Sequence, residues 1–188
     1  MTTHFIDIRL LPDPEFGRPL LLGALYGKLH RALVELGTSD IGVSFPGYCL
    51  RPRGLGDVFR LHGESMALQR LMATEWVSRM RDYTAVGDIQ PIPVVTEHRQ
   101  LMRRQFKTSV ERLRRRRMRR KGETVEQASL AIPDEVERQP ALPFIQLRSQ
   151  STGQPFCMFL ALSEPLTTPT KGVFNTYGLS TTATIPWF

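Results

Sequence analysis

The sequence has very little cysteine and no long hydrophobic run. Its cysteines are Cys49 and Cys157, and neither belongs to a CxxC pair, which excludes a zinc ribbon and a thioredoxin-type redox motif. The residues leave a disulfide between them open, although two reduced, partly buried thiols are the simpler interpretation. No apolar stretch is long enough for a membrane span, and the N-terminal residues do not follow the pattern of a secretory signal. We therefore expect a soluble, cytoplasmic protein that does not enter a membrane.

The sequence is also short of acidic residues relative to basic ones. Aspartate and glutamate total 18 against 25 lysines and arginines, which gives a formal net charge of +7 and a pI near 10.0. This balance favours polyanionic partners, either nucleic acid or an anionic membrane surface. The acidic residues form no dense cluster of the kind that a two-metal nuclease site needs. We therefore predict no metal site and no cofactor.

Hydrophobic patterning in the first half of the chain predicts alternating strands and helices. Alternating apolar residues predict a strand at residues 5–10, and leucines at helical spacing predict a helix at 18–36 that Gly37 ends. The remaining predictions are strands at 40–45 and 58–62, a loop at 47–56, a helix from 64 to about 80 and a ragged edge strand within 83–95. This β-α-β-β-α-β order is that of the ferredoxin-like motif. We predict an α+β fold in which residues 1–97 form a ferredoxin-like domain.

Residues 98–188 are predicted to form a smaller α/β region, and the composition of this region points to RNA binding. Thr108 and Glu111 have the spacing of a capping box, so a helix is expected over about 108–121, with Gly122 as its stop. A short helix is predicted over 125–132, and strands are predicted over 144–147, 156–162 and 173–177.

The helix predicted at 108–121 carries eight basic residues. On a period of 3.6 residues, one face holds Arg112, Arg116, Arg119 and Arg120. A solvated helix would interleave acidic residues, and a membrane-surface helix would need more bulky apolar ones. Nucleic acid is therefore the favoured partner. An arginine helix fits RNA at the open end of a short stem, since the A-form major groove is elsewhere too narrow.

Arg103 and Gln105 lie just before this helix and are two positions apart. In an extended segment they would point the same way. Arginine suits the guanine edge and glutamine the adenine edge, so both are candidates for base recognition. Phosphate or solvent contacts explain them equally well, and the residues leave the two interpretations open.

Two further features are candidates for chemistry. His30 lies one turn after Tyr26 on the first predicted helix, at the edge of its apolar stripe. The polar run at 148–154 lies between two predicted strands, and is either a plain hairpin turn or a hydroxyl-rich wall for a ribose or phosphate. RNA can be cut without metal when its own 2′-hydroxyl attacks the adjacent phosphorus. That reaction needs a base such as histidine, a group that holds the ribose, and a cation for the developing charge.

Short motifs along nearly the whole sequence occur in an order that resembles a known family. They are residues 7–10 (DIRL), 12–16 (PDPEF), 27–30 (GKLH), 41–46 (IGVSFP), 111–120, 142–144 (LPF), 147–154 (LRSQSTGQ), 177–180 (YGLS) and 186–188 (PWF). The sequence resembles the CRISPR-associated endoribonucleases of type I-F systems, which mature the guide RNA in antiviral defence. Arg117 departs from that pattern, because it adds charge where the family can carry an apolar residue.

The resemblance implies a role for individual residues. His30 would be the general base on the 2′-hydroxyl, and Ser149 would orient the ribose with help from Tyr177. Phe156 would stack on the terminal base pair. The residues implied to bind RNA are Arg103, Gln105, Arg112, Arg116, Arg119, Arg120, Ser151, Thr152 and Phe156.

The expected function is that of a metal-independent endoribonuclease which recognises the CRISPR repeat hairpin. The resemblance implies cleavage of precursor crRNA at the 3′ base of the hairpin, a 2′,3′-cyclic phosphate product, and retention of the mature crRNA with the other subunits of a surveillance complex. The alternative is a non-catalytic subunit that binds the hairpin. A basic ribosomal or structural RNA protein would explain the arginines but not the polar run at 148–154.

Overall fold

The computed structural model describes residues 2–94, 97–106, 110–134, 141–149 and 152–188. Helices and strands are mixed along the chain, so the predicted α+β class is confirmed. Two compact units are present, one formed by Met1–Arg103 with Leu142–Phe188 and the other by Arg104–Ala141. The predicted boundary between residues 97 and 98 rests on a change of composition and stays a prediction.

The elements of the first part of the chain precede the arginine-rich segment. In order they are β1 (His4–Leu10), α1 (Arg18–Leu36), β2 (Gly42–Ser44), β3 (Cys49–Leu50), β4 (Arg53–Gly54), β5 (Val58–Gly63), α2 (Ser65–Ala73), a 3₁₀ helix (Ser78–Tyr83), β6 (Thr84–Val86), β7 (Gln90–Pro91), β8 (His98–Arg99) and β9 (Leu101–Arg104). The rest of the chain adds α3 (Val110–Lys121), α4 (Val125–Ala131), β10 (Phe144–Arg148), β11 (Pro155–Leu162) and β12 (Ile185–Pro186).

The main sheet is antiparallel and has the strand order β2-β5-β1-β6, with β7 also paired to β1. Alternate residues of β1, namely Ile6, Ile8 and Leu10, are buried in the core, as the period-two pattern of a one-sided strand requires. Its principal elements follow the predicted β-α-β-β-α-β order. The ferredoxin-like assignment of their detailed arrangement stays a prediction.

Helix α1 begins and ends at the predicted residues. It begins at Arg18 and ends at Leu36, and Gly37 adopts a left-handed φ of 61° while its N–H donates to the Val34 carbonyl. Glycine takes this conformation without the penalty of a side chain. The buried leucines of α1, including Leu25, Leu29 and Leu33, belong to the core.

Several predictions in this unit are wrong in detail. The helix predicted to reach about residue 80 ends at Ala73, since Glu75 has a left-handed φ of 51° and a 3₁₀ helix follows. The predicted loop at 47–56 contains the short hairpin β3–β4. Cys49 and Cys157 are free and exposed, not partly buried.

Among the residues described, no helix has the length and apolarity to cross a membrane.

A second, three-stranded sheet has the order β10-β11-β9, and α1 packs against β10. The helix and the strand approach very closely, because a Cβ atom added at Gly23 would lie 2.3 Å from the Gln146 carbonyl oxygen. Only glycine permits such an approach of two backbones. The strand register is therefore fixed against the helix that carries His30.

The second unit contains the arginine-rich helix. Helix α3 ends where predicted, with Gly122 at φ 65° and its N–H donating to the Met118 carbonyl at 2.9 Å. The predicted cap Thr108 lies outside the described residues. A capping box is present on α4 instead, where Thr124 and Gln127 exchange side chain–backbone hydrogen bonds of 3.0 and 3.3 Å.

Candidate active site and nucleic-acid interface

One cleft in the first unit brings together five of the residues implied to act on RNA. Its volume is about 580 Å³. Side chains from α1, β9, β10, β11 and the turn at 175–178 line it. They are His30, Arg31, Val34, Glu35, Arg103, Arg148, Ser149, Phe156 and Tyr177. All three residues predicted to be catalytic are therefore in this set.

His30 is held in a defined tautomer. Its Nδ1 lies 2.9 Å from the Thr176 carbonyl oxygen, and a carbonyl oxygen only accepts hydrogen bonds. The Nδ1 atom must therefore carry the proton. In the neutral ring this leaves the lone pair on Nε2, which is the form that accepts a proton from a substrate.

Two aromatic rings stack in succession beneath this imidazole. The His30 and Tyr177 rings are 3.8 Å apart and 4° from parallel, and Tyr177 in turn lies 6.1 Å from Tyr26 at 14°. The Tyr26 hydroxyl donates to the Tyr177 carbonyl at 2.6 Å. Burial raises the pKa of Tyr26 well above its usual value, so the phenol stays protonated and donates at any pH near neutral.

Sequence reasoning assigned no role to Tyr26, although this residue contacts the turn that carries Tyr177. Tyr26 and His30 are four residues apart and share one face of α1. Each donates to one of two consecutive carbonyls, those of Tyr177 and Thr176. The spacing of the two residues was visible in the sequence, but the turn that they hold was not.

The turn that carries Tyr177 replaces the strand predicted at 173–177. Asn175 Oδ1 accepts hydrogen bonds from the backbone N–H groups of Tyr177 at 2.8 Å and Leu179 at 3.2 Å. Gly178 has a φ of 68°, and an added Cβ would lie 2.5 Å from Val43 Cγ1. The Gly178 carbonyl also accepts the Val43 N–H at 3.0 Å. The turn is thus fixed to β2, which places Tyr177 against α1.

Ser149 begins the turn between β10 and β11. Its N–H donates to the Gln154 carbonyl at 2.9 Å, and its carbonyl accepts the Gly153 N–H at 2.8 Å. The predicted hairpin turn is therefore confirmed. Thr152 is exposed in this turn, with its N–H 3.4 Å from Ser149 Oγ, and is not among the residues that line the cleft. Ser151 lies outside the described residues.

Arg103 and Phe156 form a pair at the cleft. The Arg103 guanidinium lies over the Phe156 ring at 5.6 Å from its centroid, within the range of a cation–π contact. Arg103 is exposed on β9, whereas Gln105 follows the end of β9 and belongs to the second unit. The parallel orientation of the two side chains stays a prediction.

Arg31, Glu35 and Arg148 line the cleft without having been predicted. Arg31 and Arg148 are neighbours in sequence of His30 and Ser149, and this adjacency was the signal that could have found them. Arg148 also donates to the Gly153 carbonyl at 3.3 Å, which ties it to the hairpin turn. The cleft therefore contains a histidine, a hydroxyl and several cations. Within the described ranges, no three His, Cys, Asp or Glu side chains are grouped so that they could hold a metal ion.

In the second unit, α3 carries two kinds of arginine: some are exposed to solvent, and others are half-buried and bind groups of the same unit. The four arginines predicted on one face are all exposed; they are Arg112, Arg116, Arg119 and Arg120. Arg114 and Arg117 are half-buried and make contacts within the unit. Arg114 donates to the Ile132 carbonyl at 2.7 and 2.9 Å and pairs with Asp134 at 2.8 Å.

Arg117 pairs with Glu123 through two hydrogen bonds of 2.5 and 3.1 Å. These bonds lower the pKa of the Glu123 carboxyl. This pairing with Glu123 explains the positive charge at position 117, where the family pattern can have an apolar residue. The charged face of α3 therefore consists of exposed arginines on a helix that two other arginines attach to the rest of the unit.

Residues 5–188 match the model of a family described as CRISPR-associated protein (Cas_Csy4). A relative from Pseudomonas aeruginosa (strain UCBPP-PA14), named CRISPR-associated endonuclease Cas6/Csy4, is 45% identical over 185 residues, which cover 98% of this chain and 99% of the relative. A relative of the same name from Escherichia coli (strain UTI89 / UPEC) is 42% identical over 185 residues, with the same coverage.

Proposed function

The chain belongs to the CRISPR-associated Cas_Csy4 family, and on that premise we propose that it is a metal-independent endoribonuclease that processes precursor crRNA. It recognises the hairpin of the CRISPR repeat and cuts at the 3′ base of that hairpin. The observation that carries this proposal is the cleft in which His30, Ser149 and Tyr177 lie beside Arg103 and Phe156. Both relatives named above are endonucleases.

His30 is the general base in the proposed reaction. Its Nδ1–H is engaged by the Thr176 carbonyl, so Nε2 takes the proton of the ribose 2′-hydroxyl. The 2′-oxygen then attacks the adjacent phosphorus and the bond from phosphorus to the 5′-oxygen breaks. The 5′-oxygen takes up a proton, and the products are a 2′,3′-cyclic phosphate and a 5′-hydroxyl end.

The other residues of the cleft orient the substrate and stabilise charge. Ser149 holds the scissile ribose in line for attack, and Tyr177 keeps the imidazole in place by stacking on it at 3.8 Å. Arg103 and Arg148 supply positive charge to the phosphate as negative charge develops on its oxygens. Phe156 stacks on the last base pair of the stem.

Binding of the hairpin relies on the exposed arginines of α3. Their side chains contact phosphates on both strands of the stem, and Arg103 and Gln105 contact base edges in its lower part. Ser151 and Thr152 contact RNA near the cut. After cleavage the mature crRNA stays bound, and the protein acts in the cytoplasm with the other subunits of a surveillance complex.

The proposal is tested with the repeat RNA from the CRISPR array of its own host. We expect one cut at the 3′ base of the hairpin, equal rates with and without EDTA, and a product that ends in a 2′,3′-cyclic phosphate. A 2′-deoxy substitution at the scissile nucleotide should prevent cleavage but not binding. A requirement for metal would refute the chemistry, and tight binding without cleavage would identify the protein as a non-catalytic hairpin-binding subunit.

A further inference from the structure

A second groove adjoins the cleft within the first unit. Its volume is about 440 Å³, which lies within the range of small ligand-binding clefts. Residues of α1 form one wall and residues of β10 and β11 form the other, with Gly23 and Ala24 among those on the helix side. Arg31 and Arg148 line both the groove and the cleft. The cleft and the groove therefore share two arginines as a common wall.

The groove is positively charged. Lys28, Arg31 and Arg148 line it, and none of its lining residues that the structure describes is acidic. Partial burial, and then the charges of Arg31 and Arg79, lower the pKa of the Lys28 amine. Like charges held this close repel one another until an anion binds between them. The chemistry that fits the groove is therefore that of phosphate groups.

The position of the groove relative to the cleft favours one part of the RNA. Arg103 and Phe156 are the cleft residues proposed to receive the stem, and neither is among the residues that line the groove. Arg31 and Arg148 line both hollows, so RNA that left the cleft through the groove would pass these two arginines. The first such segment after the cleavage site is the 3′ flank of the precursor.

We propose, building on the proposed function, that this groove binds the single-stranded RNA immediately 3′ of the cleavage site through its phosphates. The described residues that line the groove include no aromatic side chain, so bases have no ring to stack on and binding is independent of the flank sequence. The groove thus favours the uncut precursor over the cleaved product.

The test uses hairpin RNAs of the host repeat that carry a 2′-deoxy scissile nucleotide and are not cut. One ends at the cleavage site, one carries about six further nucleotides on the 3′ side, and one carries about six on the 5′ side. The protein variants are Ala24→Glu, Ala24→Lys and Lys28→Gln. Ala24 is exposed on α1, where glutamate and lysine both have good helix propensity. Matched controls are Ala73→Glu and Ala73→Lys, at an exposed alanine of α2 outside the groove.

We expect the unmodified protein to bind the RNA with the 3′ flank several-fold more tightly than the RNA without it, whatever the flank sequence. Ala24→Glu and Lys28→Gln should remove this gain, and Ala24→Lys should enlarge it. Lys28→Gln should also lower the salt dependence of flank binding by about 0.7 in the slope of log K against log salt, the value for one single-strand phosphate contact. The Ala73 variants should behave like the unmodified protein.

Three results would overturn the inference while leaving the proposed function in place. The first is equal affinity of the unmodified protein for RNAs with and without the 3′ flank. The second is a 3′-flank gain in affinity that Ala24→Glu leaves intact, and the third is a 5′-flank gain in affinity that Ala24→Glu removes. A failure of the proposed function is seen separately, since the protein would then show no preference for the hairpin without any flank.

Discussion

Two side chains of α1 hold consecutive carbonyl groups of the turn that carries Tyr177. The His30 Nδ1–H binds the Thr176 carbonyl, and the Tyr26 hydroxyl binds the Tyr177 carbonyl. The tautomer of His30 therefore depends on the position of that turn, and the position of the turn depends on Tyr26. The imidazole that we propose as the general base is therefore positioned by a buried tyrosine that does not line the cleft.

Tyr26→Phe should separate this positioning role from RNA binding. The change keeps the ring in the stack but removes the donor to the Tyr177 carbonyl, so the turn is less well fixed. We expect the single-turnover cleavage rate to fall about tenfold, equivalent to about 1.4 kcal/mol in the barrier, with little change in hairpin affinity. Tyr48→Phe is the matched control, because the Tyr48 hydroxyl also donates to a backbone carbonyl, that of Leu160 at 3.2 Å, and does not line the cleft. An unchanged rate in Tyr26→Phe would contradict the role.

A different histidine, His62, makes stability depend on pH. It is fully buried with Nε2 2.7 Å from the Ser44 hydroxyl, and burial lowers its pKa from 6.5 to about 3. The unfolded chain therefore binds a proton between pH 6.5 and 3 that the folded chain excludes. Stability is complete above pH 6.5 and is lost as the pH falls through this window, by up to about 3 kcal/mol at pH 4.5.

This pH dependence is measured by urea unfolding at pH 7 and pH 4.5. The double change His62→Leu with Ser44→Ala should remove most of the loss on acidification, and His4→Leu should not. An identical loss in the double variant would show that other groups are responsible.

At the scale of elements, the contact between α1 and β10 sets the distance between the groups of the cleft. Gly23 and His30 lie on one face of α1, since they are seven residues apart. Gln146 and Ser149 belong to β10 and the turn that follows it. The close approach at Gly23 thus aligns the helix that carries the base with the strand that leads to the serine.

Gly23→Ala should disturb this alignment. The added Cβ would be 2.3 Å from the Gln146 carbonyl oxygen, so the helix and strand must move apart. We expect a loss of about 1–3 kcal/mol in stability and a larger loss of cleavage rate than of affinity. Gly27→Ala is the control on the same face, because its nearest neighbour, Leu147 Cδ2, is 4.0 Å away. Equal rates for the two variants, measured on hairpin RNA without flanks, would show that this contact does not position the site.

Helix α3 allows a matched comparison between exposed and structural arginines. Replacing Arg116 and Arg119 with glutamine should weaken hairpin binding and reduce the slope of log K against log salt by about 1.5, since two phosphate contacts are lost. Arg114→Gln should lower the stability of the unit instead, because Arg114 donates to the Ile132 carbonyl. If the double variant left the salt slope unchanged, α3 would not contact phosphate.

At the scale of the whole molecule, the local signals of the sequence predict much of the fold. Helix α1 has its predicted limits because its leucines repeat at helical spacing and Gly37 can adopt a left-handed φ. The end of α3 at Gly122 follows from the same conformational freedom. The predicted strand at 173–177 is wrong, because the Asn175 side chain folds the segment into a turn and the Gly178 carbonyl accepts the Val43 N–H of β2. Asn175 and Gly178 are turn-forming residues that the sequence shows, whereas the contact with Val43 has no local signal.

The cleft could not be predicted from local sequence patterns. Its residues come from α1, β9, the β10–β11 hairpin and the turn at 175–178, which are far apart in sequence. Spacing alone drew attention to His30 and to the polar run at 148–154, whereas the roles of Tyr177 and Phe156 came from the family resemblance. Arg31 and Arg148 had one signal in the sequence, their adjacency to His30 and Ser149, and adjacency alone does not show that a side chain lines the same cleft.

The most direct test of the account compares the unmodified protein with His30→Ala on the repeat hairpin of its own host. Single-turnover cleavage and equilibrium binding are measured on the same RNA. Loss of the general base should lower the cleavage rate by about 10²–10⁴-fold and leave the affinity almost unchanged, because the exposed arginines of α3 are intact. Cleavage by His30→Ala at the rate of the unmodified protein would contradict the account.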